Sequence, residues 1–176
     1  MSRKKKIILL LDLISIIALI LLDQYTKHLA VVHLKNKAAF NIINGVLELN
    51  YLENKGAAFG MLQNQKIFFI FVAIVILSVI AYVLIKTPDD RKYTILHVLL
   101  SLIAAGAIGN MIDRIRYDYV VDFIYFVLIN FPIFNVADIY VTCGAILFFI
   151  TFLFFYKEKE LEELWNQIFP FRKGNS

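Results

Sequence analysis

An intrachain disulfide is excluded at once, because the 176-residue chain has a single cysteine, Cys143. Cys143 sits inside an apolar run with no histidine near it in sequence, a setting that suits packing and does not activate a thiol. Metal chemistry has little to work with. His28, His33 and His97 show no metal-ligand spacing of the H-E-x-x-H kind, and they read as interface or core histidines. Serine chemistry is equally poorly supplied. Ser15, Ser78 and Ser101 fall within helical stretches. Ser101 shares a helical face with His97, four residues earlier, but no third group or nucleophile turn accompanies them. Charge is scarce, at 18% of residues, and residues 67–85 carry none. Lysines and arginines fall mostly between apolar runs, which argues against a nucleic-acid partner. No internal repeat or low-complexity segment stands out.

What is abundant is apolar sequence: 60% hydrophobic residues and a mean hydropathy of +0.72. A spanning helix needs about 20 mostly apolar residues. Four segments qualify, at about 7–30, 67–85, 94–112 and 136–156. The first follows Arg3-Lys4-Lys5-Lys6, but it is long and lacks a clear small-x-small cleavage site, so it reads as a retained helix. The expected fold is a membrane all-α protein with a small β extension. Eleven Lys and Arg lie on the side of the two termini, six lie in the other two loops, and Lys27 sits at a boundary. The excess predicts cytoplasmic N- and C-termini.

Parity then places Asp23, Asn54, Asn110, Asp113, Arg114, Asp122, Asn135 and Asp138 toward one membrane face, whichever way the chain inserts. A one-sided set suits a site opening at one surface. A proton-relay exporter, with Asp23 as its natural carboxylate, would need polar groups at the midplane. A non-enzymatic membrane scaffold has no use for two aspartates in an apolar pocket.

The loop at about 31–66 is too long for a plain connector. Asn44-Gly45 is a hairpin signal, and Leu47, Leu49 and Tyr51 alternate with Glu48 and Asn50 as in a strand. A small sheet at the membrane surface, formed by this loop and acting as a lid, is expected. Asn54-Lys55-Gly56-Ala57-Ala58-Phe59-Gly60 then returns to the second helix, its small residues permitting tight turns or close approach to a ligand. In the loop at about 113–135, Val120, Asp122 and Ile124 share one face of an extended chain. Small residues at 105 and 109 favour close helix packing. The alternating charges of Lys157–Glu163 predict a solvated extension of the fourth helix, so residues 1–156 form the membrane unit and 157–176 a cytoplasmic tail.

Each aspartate has two readings. Asp23 and Lys27, at i and i+4, fit a helical ion pair. Asp12 lies close enough to the end of its helix to reach the cytoplasmic interface. Asp113 beside Arg114 fits a structural brace as well as a catalyst. With Asn135 as N-cap, Asp138 falls at N3, where a carboxylate closes a capping box. Yet Asp122 and Asp138, if they meet in a poorly hydrated pocket, form an acid/base pair able to split a peptide bond.

Five blocks occur in order: Asp23-Gln24-Tyr25-Thr26-Lys27; Asn54 to Gly60; Gly109-Asn110-Met111-Ile112-Asp113-Arg114; Val120-Val121-Asp122-Phe123; and Phe134-Asn135-Val136-Ala137-Asp138. Together they resemble the lipoprotein signal peptidases, or signal peptidase II, over about 7–156. The resemblance implies a bacterial inner-membrane aspartic peptidase with its site at the extracytoplasmic face. Such an enzyme removes the signal peptide from prolipoproteins whose cysteine carries a diacylglyceryl group. It further implies Asp122 and Asp138 as the catalytic dyad. Asn54, Gly56, Asn110, Asp113, Arg114, Asn135, Ala137, Asp23 and Lys27 would bind substrate or support the site. No metal or organic cofactor is implied. The expected partners are the diacylglyceryl-cysteine signal peptide, membrane lipids and cyclic peptide inhibitors of the globomycin type bound at the dyad, with the enzyme acting as a monomer.

Overall fold

The computed structural model describes residues 1–56 and 62–170. Helix α1 (Arg3–Leu34) begins where the Ser2 hydroxyl accepts from Lys5 N at 3.0 Å. Helices α2 (Lys66–Lys86) and α3 (Thr94–Tyr117) follow, then α4 (Val136–Ile150), which continues as a π-helical turn, Thr151–Phe155. All four are long and apolar enough to cross a membrane. Large apolar side chains such as Leu10, Leu21, Phe71, Val79, Phe149 and Phe154 point outward, as expected where the solvent is lipid.

α3 is the central helix, packed against α1, α2 and α4. Between lipid-covered helices there is no hydrophobic driving force, so close backbone approach has to supply the contact. Gly106 provides it against α4 and Gly109 against α1 as well: a Cβ on Gly106 would collide with Ala137 O and Val141, and one on Gly109 would sit 2.5 Å from Asp23 Oδ2 of α1 and 3.3 Å from the Ala137 Cβ of α4. Both glycines are therefore packing residues. α3 runs to Tyr117, where Asp118 closes it in the left-handed region at φ 67°. It thus extends beyond the apolar stretch ending near residue 112, and Asp113 and Arg114 lie on a helix rather than in a loop.

The sheet has three antiparallel strands in the order β1 (Phe40–Ile43), β2 (Leu47–Asn54), β3 (Val120–Phe126). The Ile43–Val46 turn closes with a 2.9 Å hydrogen bond, and Gly45 takes the positive φ of 70° that the turn requires. The first loop was expected to form the sheet alone. The structure adds β3 from the third loop, pairing Leu52 with Asp122 and Asn54 with Val120 across a bulge in β2. Val121 and Phe123 seat the sheet on Ala30 and Leu34 of α1. Residues 57–60 of the Asn54–Gly60 block lie outside the described residues, as do residues 171–176 of the tail.

The tail also differs from expectation. Tyr156 turns the chain with extended backbone, and α5 (Glu158–Ile168) is a separate helix rather than a continuation of α4. Leu164 and Ile168 are buried with Ile80, Leu84, Leu96 and Tyr156. Tyr82 donates to Ile168 O at 2.6 Å and Tyr93 to Glu160 O at 2.9 Å. At this same face Lys5 Nζ donates to the α2 carbonyls of Leu84, at 2.6 Å, and of Thr87. α5 therefore clamps the ends of α2 and α3. Combining Leu164→Asp with Ile168→Asp is expected to detach α5 and lower the thermal midpoint by about 5 °C, with turnover within about twofold of the parent. Unchanged melting in a scanning-fluorimetry assay would contradict the clamp.

Candidate active site

Five elements deliver polar groups to the sheet end of the helices. α1 brings Asp23, Gln24 and Lys27, and β2 brings Asn54. α3 brings Asn110, Asp113 and Arg114, β3 brings Asp122, and the start of α4 brings Asn135, Ala137 and Asp138. Asp23, Asp113, Asp122, Asn135 and Ala137 are each no more than 1% exposed.

The four aspartates fall into two kinds. Lys27 Nζ lies 3.0 Å from Asp23 Oδ2 and 3.0 Å from Asp113 Oδ2. Asp23 Oδ1 also accepts from Ala137 N at 2.9 Å, tying α1 to the first turn of α4. Asp113 accepts from Val121 N at 3.0 Å and from Gln24 Nε2 at 2.9 Å, fixing β3 and α1 to α3. These two carboxylates are fully engaged braces. Gln24 was not singled out from the sequence. Its signal was the break that Asp23-Gln24 makes in an otherwise apolar helix.

Asp122 and Asp138 are held differently. Among the described residues neither has a lysine, arginine or histidine within salt-bridge distance. Asp122 accepts from Asn54 Nδ2 at 2.8 Å and from Asn135 Nδ2 at 2.6 Å. Asp138 accepts from Asn110 Nδ2 at 2.8 Å and from Asn135 N at 3.1 Å, while Asn135 Oδ1 accepts from Asp138 N at 2.9 Å. The last two bonds form a complete capping box. Asn135 thus touches both carboxylates, one through its side chain and the other through its backbone. The same Asp138 closes the cap and lines the cavity, so the two readings of that residue are compatible.

Two further contacts shape the rim. Arg114 Nη2 donates to Gly56 O at 3.1 Å, and its guanidinium lies 4.5 Å from the centre of the Phe69 ring on α2. Gly56 N donates to Asn54 Oδ1 at 3.0 Å, which orients the Asn54 amide so that its NH2 faces Asp122. Nothing in the sequence pattern marked Phe69.

The cavity holds about 420 Å³, with Asn54, Asn110, Arg114, Asp122 and Asp138 on its polar side. Phe131 and Ile133, before α4, and Ile139, Thr142 and Cys143 on α4 form the rest of its lining. Cys143 is exposed there and does not fill the core, contrary to the packing role expected from its apolar run. Among the described residues no group of three or more His, Cys, Asp or Glu is placed to hold a metal ion.

Burial pushes the Asp122 carboxyl up to about 7, and repulsion from the Asp138 carboxylate adds to this, against the opposing amide donors of Asn54 and Asn135. The folded protein therefore keeps a proton that the unfolded chain releases near pH 4. This contribution to stability is complete below about pH 4, is lost as pH rises to about 7, and is flat above. The Asp122→Asn variant is expected to lose that part of the decline. Parallel melting curves of parent and variant across this pH window would contradict the assignment.

Four membrane-crossing helices with an acidic, amide-lined cavity near one surface define a multi-pass membrane protein with a candidate hydrolytic site. The chain belongs to the signal peptidase II family, whose model, described as signal peptidase (SPase) II, matches residues 15–154. It is 46% identical over 129 residues to a lipoprotein signal peptidase of Caldanaerobacter subterraneus subsp. tengcongensis, covering 73% of this chain and 86% of the relative. With a lipoprotein signal peptidase of Clostridium tetani it shares 40% identity over 156 residues, covering 87% and 97%. A solved bacterial membrane enzyme, determined in meso at 2.3 Å resolution, superposes with a TM-score of 0.74 at 35% identity, covering 81% of this chain and 87% of that one.

Proposed function

We propose that this chain is an aspartic endopeptidase that removes the signal peptide from diacylglyceryl-modified prolipoproteins, cutting before the lipidated cysteine. The observation that carries the reading is the contrast among the aspartates: Asp23 and Asp113 are bound to Lys27, whereas Asp122 and Asp138 face a cavity with only amide partners. Two buried carboxylates that both meet Asn135 cannot both ionise cheaply, so they share one proton. The ionised carboxylate takes a proton from water, and that water attacks the scissile carbonyl. The protonated carboxyl donates to the carbonyl oxygen; on collapse it takes that proton back from the gem-diol, while the carboxyl that gained the water proton gives it to the departing amine. The pair titrates as a unit, so the acid and base roles belong to the dyad. The two carboxylates supply both halves of the proton transfer, so the step needs no metal.

The remaining site residues divide by geometry. Asn54, Asn110 and Asn135 orient the carboxylates, and Arg114 holds the Gly56 carbonyl at the rim. Asp23, Lys27, Asp113 and Ala137 lock α1, α3 and α4 around the pocket. The first loop covers the site as a lid. The substrate's acyl chains stay in the bilayer along the Ile139–Cys143 face of α4, where the cavity is apolar. In this reading the enzyme acts as a monomer. Cyclic peptides of the globomycin type would compete at the dyad. The charge bias supports cytoplasmic termini, and in this reading the site opens at the extracytoplasmic face of a bacterial inner membrane. In this reading residues 1–156 are the peptidase unit and 157–176 a cytoplasmic appendage.

The Asp23-relay exporter is disfavoured by the Asp23–Lys27–Asp113 ion pairs, which leave no free carboxylate at that position. The test is to incubate the purified protein in lipid with a diacylglyceryl-modified prolipoprotein and follow the product mass. Loss of the signal peptide from the lipidated form is expected. No mass change with folded protein and verified lipidation would overturn the proposal.

A further inference from the structure

A second cavity, of about 890 Å³, lies between α1 and α3 toward the face that carries the two termini. It is separate from the Asp122–Asp138 cavity, and no residue lines both. Its walls are apolar: Ile8, Leu11, Ala18 and Leu19 on one side, Val98 and Leu102 on the other. Its floor is polar. Asp12 was expected to reach the interface, but it is buried, with Oδ2 2.7 Å from His97 Nδ1. Asp12 therefore pairs across the helices and does not reach toward solvent.

The floor contains two buried atoms, His97 Nε2 and Ser101 Oγ, with no hydrogen-bond partner among the described residues. Their residues are only 4% and 3% exposed, and both line the groove. The other helical serines show the alternative open to Ser101: Ser15 donates back to Leu11 O at 2.8 Å and Ser78 to Ile74 O at 2.7 Å. Ser101 makes no such bond. An unsatisfied polar group at this depth is costly, so a ligand that supplies the missing partners gains by binding.

The rim defines the other end of that ligand. Lys4 and Arg91 line the mouth and, among the described residues, neither has a salt-bridge partner. The third charged rim residue, Asp90, already accepts from Lys92 N at 3.1 Å and lies 4.0 Å from Lys92 Nζ. Lys92 is itself paired with Glu163 at 2.6 Å, but two cations against one carboxylate leave the rim with a net positive charge. Arg91 opens the short 3-10 turn, Arg91–Tyr93, that leads into α3, so His97 lies about 10 Å below it along the axis. A positive mouth, a polar zone below it and apolar walls match the phosphate, ester and acyl parts of a glycerophospholipid. The lysine- and arginine-rich end of a signal peptide would instead meet like charge at Lys4 and Arg91.

We propose that the α1–α3 groove binds an anionic glycerophospholipid, with its phosphate on Lys4 and Arg91 and its ester oxygens over Ser101 and His97. Ser101 Oγ donates to an ester oxygen, and the Asp12 carboxylate holds the His97 ring with Nε2 toward the same zone. The acyl chain lies along Leu11, Ala18 and Leu102. The site is independent of the peptidase chemistry, because it touches no residue of the Asp122–Asp138 network.

The test uses the full chain in phosphatidylcholine nanodiscs with a small fraction of phosphatidylglycerol bearing a photoactivatable acyl chain, and adducts are mapped by peptide mass spectrometry. Adducts concentrated in residues 8–19 and 94–102, competed by unlabelled phosphatidylglycerol but not by phosphatidylcholine, are the expected result. A fivefold or greater loss is expected in the Lys4→Gln/Arg91→Gln double variant. Ala18→Trp, at an exposed wall position, should give the same loss with peptidase turnover within twofold of the parent, which keeps the test valid should the double variant insert poorly. Adducts spread evenly over α2 and α4, or unchanged in Ala18→Trp, would overturn the proposal. So would preferential labelling of these segments by a photoactivatable signal peptide, which would assign the groove to substrate.

Discussion

Asp122→Asn and Asp138→Asn are each expected to lower turnover by roughly 10³-fold or more, while the protein still inserts and folds. The contrast with the neighbouring aspartates gives the prediction its force. Among the described residues Asp122 has no cation partner, and burial already favours its neutral form. An uncharged amide of the same shape therefore removes little stability. It costs one acceptor, because the Asn54 and Asn135 amides both donate to that carboxylate, and it relieves the repulsion between Asp122 and Asp138. Asp23→Asn and Asp113→Asn should behave in the opposite way, with melting depressed and residual turnover in whatever fraction folds. Turnover and thermal midpoint measured together on the four variants separate the pairs. Near-parental turnover in either dyad variant would remove the aspartic mechanism. A collapse of folding in both would mean that Asp122 and Asp138 are braces as well.

Which parts of this site were legible in the sequence follows from how local their causes are. The Asn135–Asp138 capping box and the Asp23–Lys27 pair span three and four residues, and helix geometry brings such neighbours together in any fold. The Asn44-Gly45 turn is local in the same sense. Length and apolar composition were enough for the four spans because a bilayer imposes both. The partners that cross the fold left no spacing to read: β3 joins β2 across 68 residues at the Asn54–Asp122 bond, and Asp12 meets His97 across 85. The tail was misread for a different reason. Its alternating charges were followed while Leu161, Leu164, Trp165 and Ile168, an i, i+3, i+4, i+7 stripe, were not. That stripe accounts for α5 turning back onto the helix ends, where Leu164 and Ile168 are buried.

The largest loss of stability is expected from Lys27→Met. Lys27 is 3% exposed and is the one cation shared by Asp23 and Asp113, which are 0% and 1% exposed. Removing it leaves two buried carboxylates facing the same space, a change that typically costs about 3–5 kcal/mol when only one partner of a buried pair is lost. The damage should also reach the chemistry. Lys27 Nζ donates to Asn110 Oδ1 at 2.8 Å, which turns the Asn110 amide so that its NH2 donates to Asp138. Asn135 Nδ2 donates to that same Asn110 oxygen at 3.1 Å and to Asp122. One ammonium thus sets the orientation of two amides, and through them the positions of both carboxylates of the dyad. Neutralising the acids should separate the two effects. Lys27→Met combined with Asp23→Asn and Asp113→Asn is expected to recover much of the lost melting temperature, because no buried charge is left unpaired. It should recover less of the turnover, because Asn110 still lacks the donor that fixes its orientation. Melting and turnover restored together would mean that Lys27 acts only as a counter-charge. A single Lys27→Met variant as stable as the parent would mean that Asp23 and Asp113 do not depend on it.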